Sequence, residues 1–301
     1  MVKSDDIFLF VQVVDEGSFS KLAEKLEMTN SVVSKRISRL EKALNVQLLY
    51  RTTRKLSLTD AGQALYGKAR LAKQALQDAQ DTVTGYGDAV RGKIRVTVPS
   101  VSANLLLSKA IAEFCQLYPD VEVELHVSNR LVNILDEGFD LAIRTAFLED
   151  SSLVARRLID SQWIVCASPS YLNQHGIPHK PNDLLNHECL IYKYEGVGPD
   201  NWLFQQDGVE ANVQVQGRFY TNSLAAIRDA AATNFGIAYL PRALVHDDLM
   251  SGRLVSLLAD YTAKELGVYA VYPKSRQPDK KLNLLVEHLR DAYLAKKEYL
   301  Y

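Results

Sequence analysis

Seven basic side chains fall between positions 35 and 55: Lys35, Arg36, Arg39, Lys42, Arg51, Arg54 and Lys55. Against them stands one acid, Glu41, a local net of +6 in a chain of 301 residues that totals −1. Such a concentration suits a polyanion, because each neutralised phosphate releases condensed counterions. Charge alone fits a solvated face equally well, so the neighbouring residue types decide. Asn30, Ser31, Ser34 and Lys35 are compact or hydrogen-bonding side chains at a helix start. There they let a helix enter a DNA major groove, lysine reaching guanine O6 and N7 and serine reaching either kind of base edge. Arg36 and Arg39 lie further round or along that helix, nearer phosphates, and are assigned to positioning. Arg51, Arg54 and Lys55 belong to a wing that lays them along the backbone or into a minor groove.

These side chains need a helix-turn-helix to position them. Ile7, Phe10, Val11 and Val14 recur at helical spacing and predict a first helix that Gly17 ends. Ser18 caps a second, buried through Leu22, Ala23 and Leu26. Thr29 is expected to offer its hydroxyl to the free N–H groups of a third. In that helix Val33, Ile37, Leu40 and Leu44 point inward and Ser31, Ser34, Lys35, Ser38, Arg39 and Lys42 outward. Asn45 fits a left-handed stop, and residues 48–50 and 56–58 read as the strands of a hairpin. From Thr59 a longer helix repeats Ala61, Leu65, Ala69, Ala72, Leu76, Ala79, Val83 and Tyr86. The seam implies a facing helix: that of a second chain, or the helix's own C-terminal domain.

Beyond a glycine-containing break at 85–92, strands and helices alternate. Strands are expected at 94–98, 121–127 and 141–143, and helices at 103–118 and 131–135, the order of a parallel α/β sheet. Residues 163–168 lead into a second region of the same type, and 268–272 return to the first. Two crossings leave two lobes with a cleft between them. Ligands of open α/β sheets sit beyond the C-terminal strand ends, which singles out Ser100, Val101 and Ser102, Arg144 and Thr145, and Thr221, Asn222 and Ser223. The serine and threonine helix starts suit an anion. Arg144 either pairs with a ligand carboxylate or forms a structural salt bridge to Asp140 or Glu149. Cys166 is a redox sensor or a buried inert thiol.

The chain resembles the LysR-type transcriptional regulators over nearly its full length. The N-terminal resemblance rests on Gly17-Ser18-Phe19-Ser20, Val33-Ser34, the run from Arg39 to Glu41, Arg51-Thr52-Thr53-Arg54 and Leu58-Thr59-Asp60-Ala61-Gly62. Further on it rests on Tyr118-Pro119-Asp120-Val121, the run from Phe139 to Arg144, Asp150 to Leu153, Ala167-Ser168-Pro169 and Gly236-Ile237-Ala238. It implies an α/β chain with an all-α winged helix-turn-helix head, a long linker helix and a two-lobed, periplasmic-binding-protein-like effector domain. The expected boundaries are 1–58, 59–92 and 93–301, with lobe I at about 93–162 and 268–301 and lobe II at about 163–267. It also implies promoter DNA and a small-molecule effector as partners, and a dimer or tetramer. Asn30-Ser31, Lys35 and Asn45 depart from the family's usual Gln-Pro, arginine and glycine. The first two departures fall on base-reading positions and concern the operator sequence.

Composition narrows the rest. With 47% apolar residues the chain is folded rather than disordered. No apolar run approaches a membrane span, and Asp5 and Asp6 stand where a signal peptide would be basic, so a cytoplasmic protein is expected. Cys115, Cys166 and Cys189 form no CxxC pair, and the spacing of His175 and His179 is broken by Gly176 and Pro178, so no metal or other cofactor is expected. Neither GxSxG, a Walker A loop, HExxH nor GxGxxG is present, which argues against an enzyme. The competing readings are an α/β enzyme or solute-binding protein carrying an appended helical head, and a purely architectural DNA-binding protein.

Overall fold

The computed structural model describes residues 2–51, 56–83, 90–130, 132–145, 153–193, 200–206, 209–261, 265–276 and 279–301. Helix α1 (Ser4–Glu16) carries Asp5 and Asp6 in its first turn and ends at Gly17, left-handed at φ 64°. Helix α2 (Phe19–Lys25) is capped by Ser18, whose Oγ accepts from the Lys21 amide. Helix α3 (Asn30–Leu44) stops at Asn45, φ 53° and ψ 38°, as the sequence predicts. Two details differ. The Thr29 hydroxyl lies 2.9 Å from Ser31 Oγ instead of capping α3, and Leu44, on the last turn before the left-handed stop, is 37% exposed. Val33, Ile37 and Leu40 do close the head core on Leu9, Phe10 and Leu22. The hairpin β1 (Leu49–Arg51) and β2 (Leu56–Leu58) is antiparallel. Glu41 fixes its start, Oε1 accepting from the amides of Leu48 at 2.9 Å and Leu49 at 3.2 Å.

Thr59 opens α4 (Asp60–Val83), its Oγ1 accepting from the Gly62 amide at 3.0 Å. The predicted seam divides in two. Its first half lies against this chain, with Ala69 buried and Ala61 and Leu65 half-buried beside the buried Tyr66 and Gly67, whereas Ala72, Leu76 and Ala79 are exposed; the Val83 side chain and Tyr86 lie outside the described residues. Gly67 is required by the contact: a Cβ there would sit 2.1 Å from the Leu135 carbonyl oxygen and 2.6 Å from that of Asp136. Those carbonyls belong to turns where a helix was expected over 131–135. Residue 131 lies outside the described residues, and at 133–136 Asn133 Oδ1 accepts from the amides of Leu135 and Asp136, drawing the backbone into a turn.

The remainder runs β3 (Gly92–Val98), α5 (Ser100–Ser102), a π-helical turn over Ala103–Leu107, α6 (Ser108–Leu117), β4 (Val121–Val127), β5 (Leu141–Thr145) and β6 (Leu153–Ala167). It continues through α7 (Pro169–His175), β7 (Leu190–Tyr192), β8 (Asn201–Gln206), β9 (Val209–Gln214), β10 (Phe219–Thr221), α8 (Leu224–Ala232) and β11 (Ala238–Pro241). It ends with α9 (Arg242–Met250), β12 (Val255–Leu257), β13 (Glu265–Pro273), α10 (Lys280–Ala295) and α11 (Lys297–Leu300). The main sheet runs β11-β6-β13-β5-β3-β4, with β12 also on β6. β3 pairs in parallel with β4 and β5, the α/β order expected. No described helix is long and apolar enough to cross a membrane.

Strand β6 belongs to both halves of this domain. Its first part pairs with β13 and its last residues with β11 and β12. The pairs Asp160 with Gly267, Ser161 with Leu266 and Gln162 with Glu265 form a two-stranded ribbon between the halves. The first half packs β3, β5, α6 and α10 around Phe114, Leu285 and Leu289. In the second, one sheet face carries Val165, Trp202, Phe204 and Tyr239, and the other Ile164, Cys166, Leu224 and Ile227.

A polar seam joins the head, α4 and the first half. Tyr66 donates to Asp15 Oδ1 at 2.6 Å and accepts from Arg95, whose guanidinium also sits 5.0 Å from the Phe139 ring centre. Asp140, 2% exposed, accepts from Arg70 at 2.5 Å, from the Arg95 amide at 2.8 Å and from Arg276. Burial opposes its charge, but the Arg276 and Arg70 guanidiniums outweigh that and hold the carboxyl below the usual carboxylate range. Burial likewise opposes Glu124, yet hydrogen bonds from Lys93 and His126 and the charge of Arg95 bring it down to about 2.

Candidate DNA interface and effector cleft

The outward side of α3 starts with Asn30, Ser31 and Lys35, all exposed, and half-buried Ser34. Asn30 Nδ2 donates to Ser20 Oγ at 3.2 Å, tying the first turn of α3 to α2. Ser38 returns its hydroxyl to the Ser34 carbonyl at 3.0 Å, so the face stays helical and small. A groove-reading helix needs this: short polar side chains up front, held by the helix below.

Arg36 and Arg39 are placed differently from the free phosphate contacts the sequence suggested. Both are held by Asp6 of α1, an acid 2% exposed. Arg36 Nε donates to Oδ1 at 2.8 Å; Arg39 donates through Nε to Oδ2 at 2.8 Å and through an Nη to both oxygens. Burial would raise Asp6, but hydrogen bonds from Arg36 and Arg39 prevail and its carboxyl stays below 3.8. The pair therefore braces α3 on α1, with half the Arg39 side chain still exposed. Sequence reasoning missed Asp6, although a signal existed. It lies three and four positions before Leu9 and Phe10, on the buried stripe of α1 where an apolar residue belongs. Of the wing, Arg51 is placed by its backbone pairing with Leu56; the Arg51 side chain and all of Arg54 and Lys55 lie outside the described residues.

In the effector half the candidates cluster at strand ends. Ser100 follows β3, and both its amide and its hydroxyl donate to Asn129 Oδ1, at 2.9 and 3.2 Å. The first N–H of that helix is thus occupied by a side chain that sequence reasoning did not select. Ser102 is 9% exposed, and Val101 packs on the second half's cluster with Ile164 and Leu224, bridging the halves. Arg144 is 8% exposed and donates to the Ile143 carbonyl at 2.8 Å, Thr97 Oγ1 at 2.9 Å and the Arg130 carbonyl at 3.4 Å. The sequence offered Asp140 as its partner; that acid is taken by Arg70 and Arg276. Glu149 lies outside the described residues. Thr145 closes β5, paired with Val268. Across the domain Thr221 Oγ1 accepts from the Ser223 amide at 3.1 Å and Ser223 Oγ from the Ala226 amide, while Asn222 is exposed. Ser223 is thus the cap of α8.

Cys166 is buried, and burial pushes its thiol up to about 12, which favours the inert thiol over the redox sensor. Among the described residues no cluster of three metal-ligating side chains occurs.

Residues 4–63 match the bacterial regulatory helix-turn-helix proteins of the lysR family, and residues 87–294 match the LysR substrate binding domain. The transcriptional activator AaeR of Escherichia coli K12 is 34% identical over 288 residues, covering 95% of this chain and 92% of its own. The regulator CrgA of Neisseria meningitidis is 34% identical over 287 residues, 95% of each chain. Among solved structures, full-length AphB of Vibrio cholerae superposes with a TM-score of 0.61 at 29% identity, covering 96% of this chain and 98% of its own. The CrgA structure gives 0.59 at 34%, covering 96% and 99%. An α3 face built for a groove, a two-part α/β domain behind it and these relationships agree: the chain belongs to the LysR family of DNA-binding transcriptional regulators, with an N-terminal helix-turn-helix and a C-terminal effector-binding domain.

Proposed function

We propose that Asn30, Ser31, Ser34 and Lys35 read base edges in a two-fold symmetric promoter site, with Arg39 and the wing residues Arg51, Arg54 and Lys55 on phosphates. Arg36, the more enclosed of the pair on Asp6, braces the helix. A small anionic effector in the cleft between lobe I and lobe II shifts the arrangement of subunits, and so promoter contact, through its differential affinity for the two arrangements. The chain acts in this way as a cytoplasmic regulator and not as an enzyme. The exposed, compact first turn of α3 above the Asp6 brace is the observation that carries the reading.

Lys35→Ala should erase about 1–3 kcal/mol of discrimination at one base position while leaving other positions unchanged. Binding measured over a randomised operator library checks this; an equal loss for all sequences makes Lys35 a phosphate contact. Arg144→Ala, at the end of β5, should still bind promoter DNA but lose the response to effector. Calorimetry with an effector found by screening small carboxylates against the parent chain decides it, since normal binding removes Arg144 from the pocket. The exposed half of α4 is the surface we assign to a second copy of the chain. Leu76, 50% exposed on it, should not tolerate charge: Leu76→Glu is expected to lower the mass found by light scattering to that of a smaller assembly.

A further inference from the structure

A cavity lies in the C-terminal half, beside the ribbon and on the sheet face opposite α8. It measures about 180 Å³ and is walled by Trp163, Phe204, Leu257, Leu258 and Tyr261, with Arg242, the first residue of α9, at its side. None of these residues is among the cleft candidates. We propose that it is a separate binding pocket for a compact monocarboxylate of about one ring's size, held through Arg242.

Three features converge on that ligand. The Arg242 Nε is buried and has no hydrogen-bond partner, and among the described residues no carboxylate pairs with Arg242. Arg242 is half-buried and lines the cavity without an anionic partner among the described residues, and a carboxylate is the natural partner of such a guanidinium. Apart from Gln162 and Ser256 the remaining walls are apolar or aromatic, and Phe204, Leu257 and Leu258 are at most 9% exposed. Cavities of about 150 Å³ with such walls hold a benzene ring, so the space suits one ring with its charge toward Arg242. Leu258, a bulky residue on the wall, is left-handed at φ 55°, and backbone strain of this kind persists where the surroundings enforce a shape, as at ligand clamps. Gln162, the last ribbon residue, also lines the cavity, so occupancy bears on the two halves at the point where they join.

Benzoate is the probe and benzamide its neutral counterpart, each titrated calorimetrically into the full chain. Benzoate should bind saturably and at least about tenfold more tightly than benzamide; Arg242→Ala should remove that preference and Arg144→Ala should preserve it. A second reading does not depend on the variants' folding. The indole N–H resonance of Trp163, identified by its loss in Trp163→Phe, should move with benzoate and follow the same isotherm. Absence of saturable binding up to about 10 mM overturns the proposal, as does an unchanged preference in Arg242→Ala. So does a Trp163 resonance that stays still, and a preference lost in Arg144→Ala would place the probe in the cleft instead.

Discussion

Asp140→Ala should cost the effector domain about 3–5 kcal/mol, the usual penalty for removing one partner of a buried ion pair. Arg276 is 3% exposed and, among the described residues, would be left with Asp279 alone, at 3.2 Å, to offset its charge. Arg70 and the Arg95 amide would lose their acceptor as well. Urea unfolding followed by tryptophan fluorescence reads this directly, because Trp163 and Trp202 both lie in that domain. A loss below about 1 kcal/mol would mean that Asp279 alone suffices for Arg276 and that Asp140 is not the keystone of the seam. The effect should extend to the join between α4 and β3. Arg70 reaches Asp140 from α4, so the variant should also expose that helix to protease sooner than the parent.

Asp6→Asn should lower thermal stability of the head by about 1–3 kcal/mol and weaken promoter binding by a similar factor for every operator sequence. The amide keeps one oxygen for Arg36 but loses the charge that gathers Arg39 onto the same carboxyl. Because the folded carboxyl titrates below the ordinary value of 3.8, its contribution is fully present above that value and lost as pH falls through the lower folded one. The stability gap between parent and variant should therefore be constant near neutrality and close below about pH 4. Promoter titrations and melting curves across that range test both halves. Loss of affinity at one base position alone would mean that Asp6 shapes readout rather than bracing the helix.

Local signals were legible and distant partners were not. Gly17, Ser18 and Asn45 punctuate the head as expected, because left-handed φ and side-chain caps depend on a few adjacent residues. The strands at 94–98, 121–127 and 268–272 emerged from stretches rich in valine and aromatic residues, although the last pairs antiparallel with both of its neighbours. The helix expected at 131–135 failed because Asn133 offers backbone amides a nearer acceptor than a helical turn does. Arg36 and Arg39 could be placed on the right helix, but their acid lies some thirty residues earlier, and spacing within α3 carries no trace of it. The same limit applies at the cleft. Ser100 was found by its place after a strand, while Asn129, which engages it, sits on a segment that carries no periodic signal. The seam on α4 is covered only in its first half, beside Gly67, which closes on the Leu135 and Asp136 carbonyls of the same chain; its exposed second half is the part open to the second chain that the sequence expected.

The two halves of the effector domain share a ribbon only three residue pairs long, from Asp160 to Gln162 and from Glu265 to Gly267. Two antiparallel strands resist stretching through their backbone bonds but twist with little opposition, having no third strand to hold them flat. Rotation about the ribbon's long axis is therefore the relative motion of the halves that these two strands resist least. On the function proposed above, a ligand that closes the domain turns the halves about this axis, and the angle is what it hands on to the DNA-bound assembly.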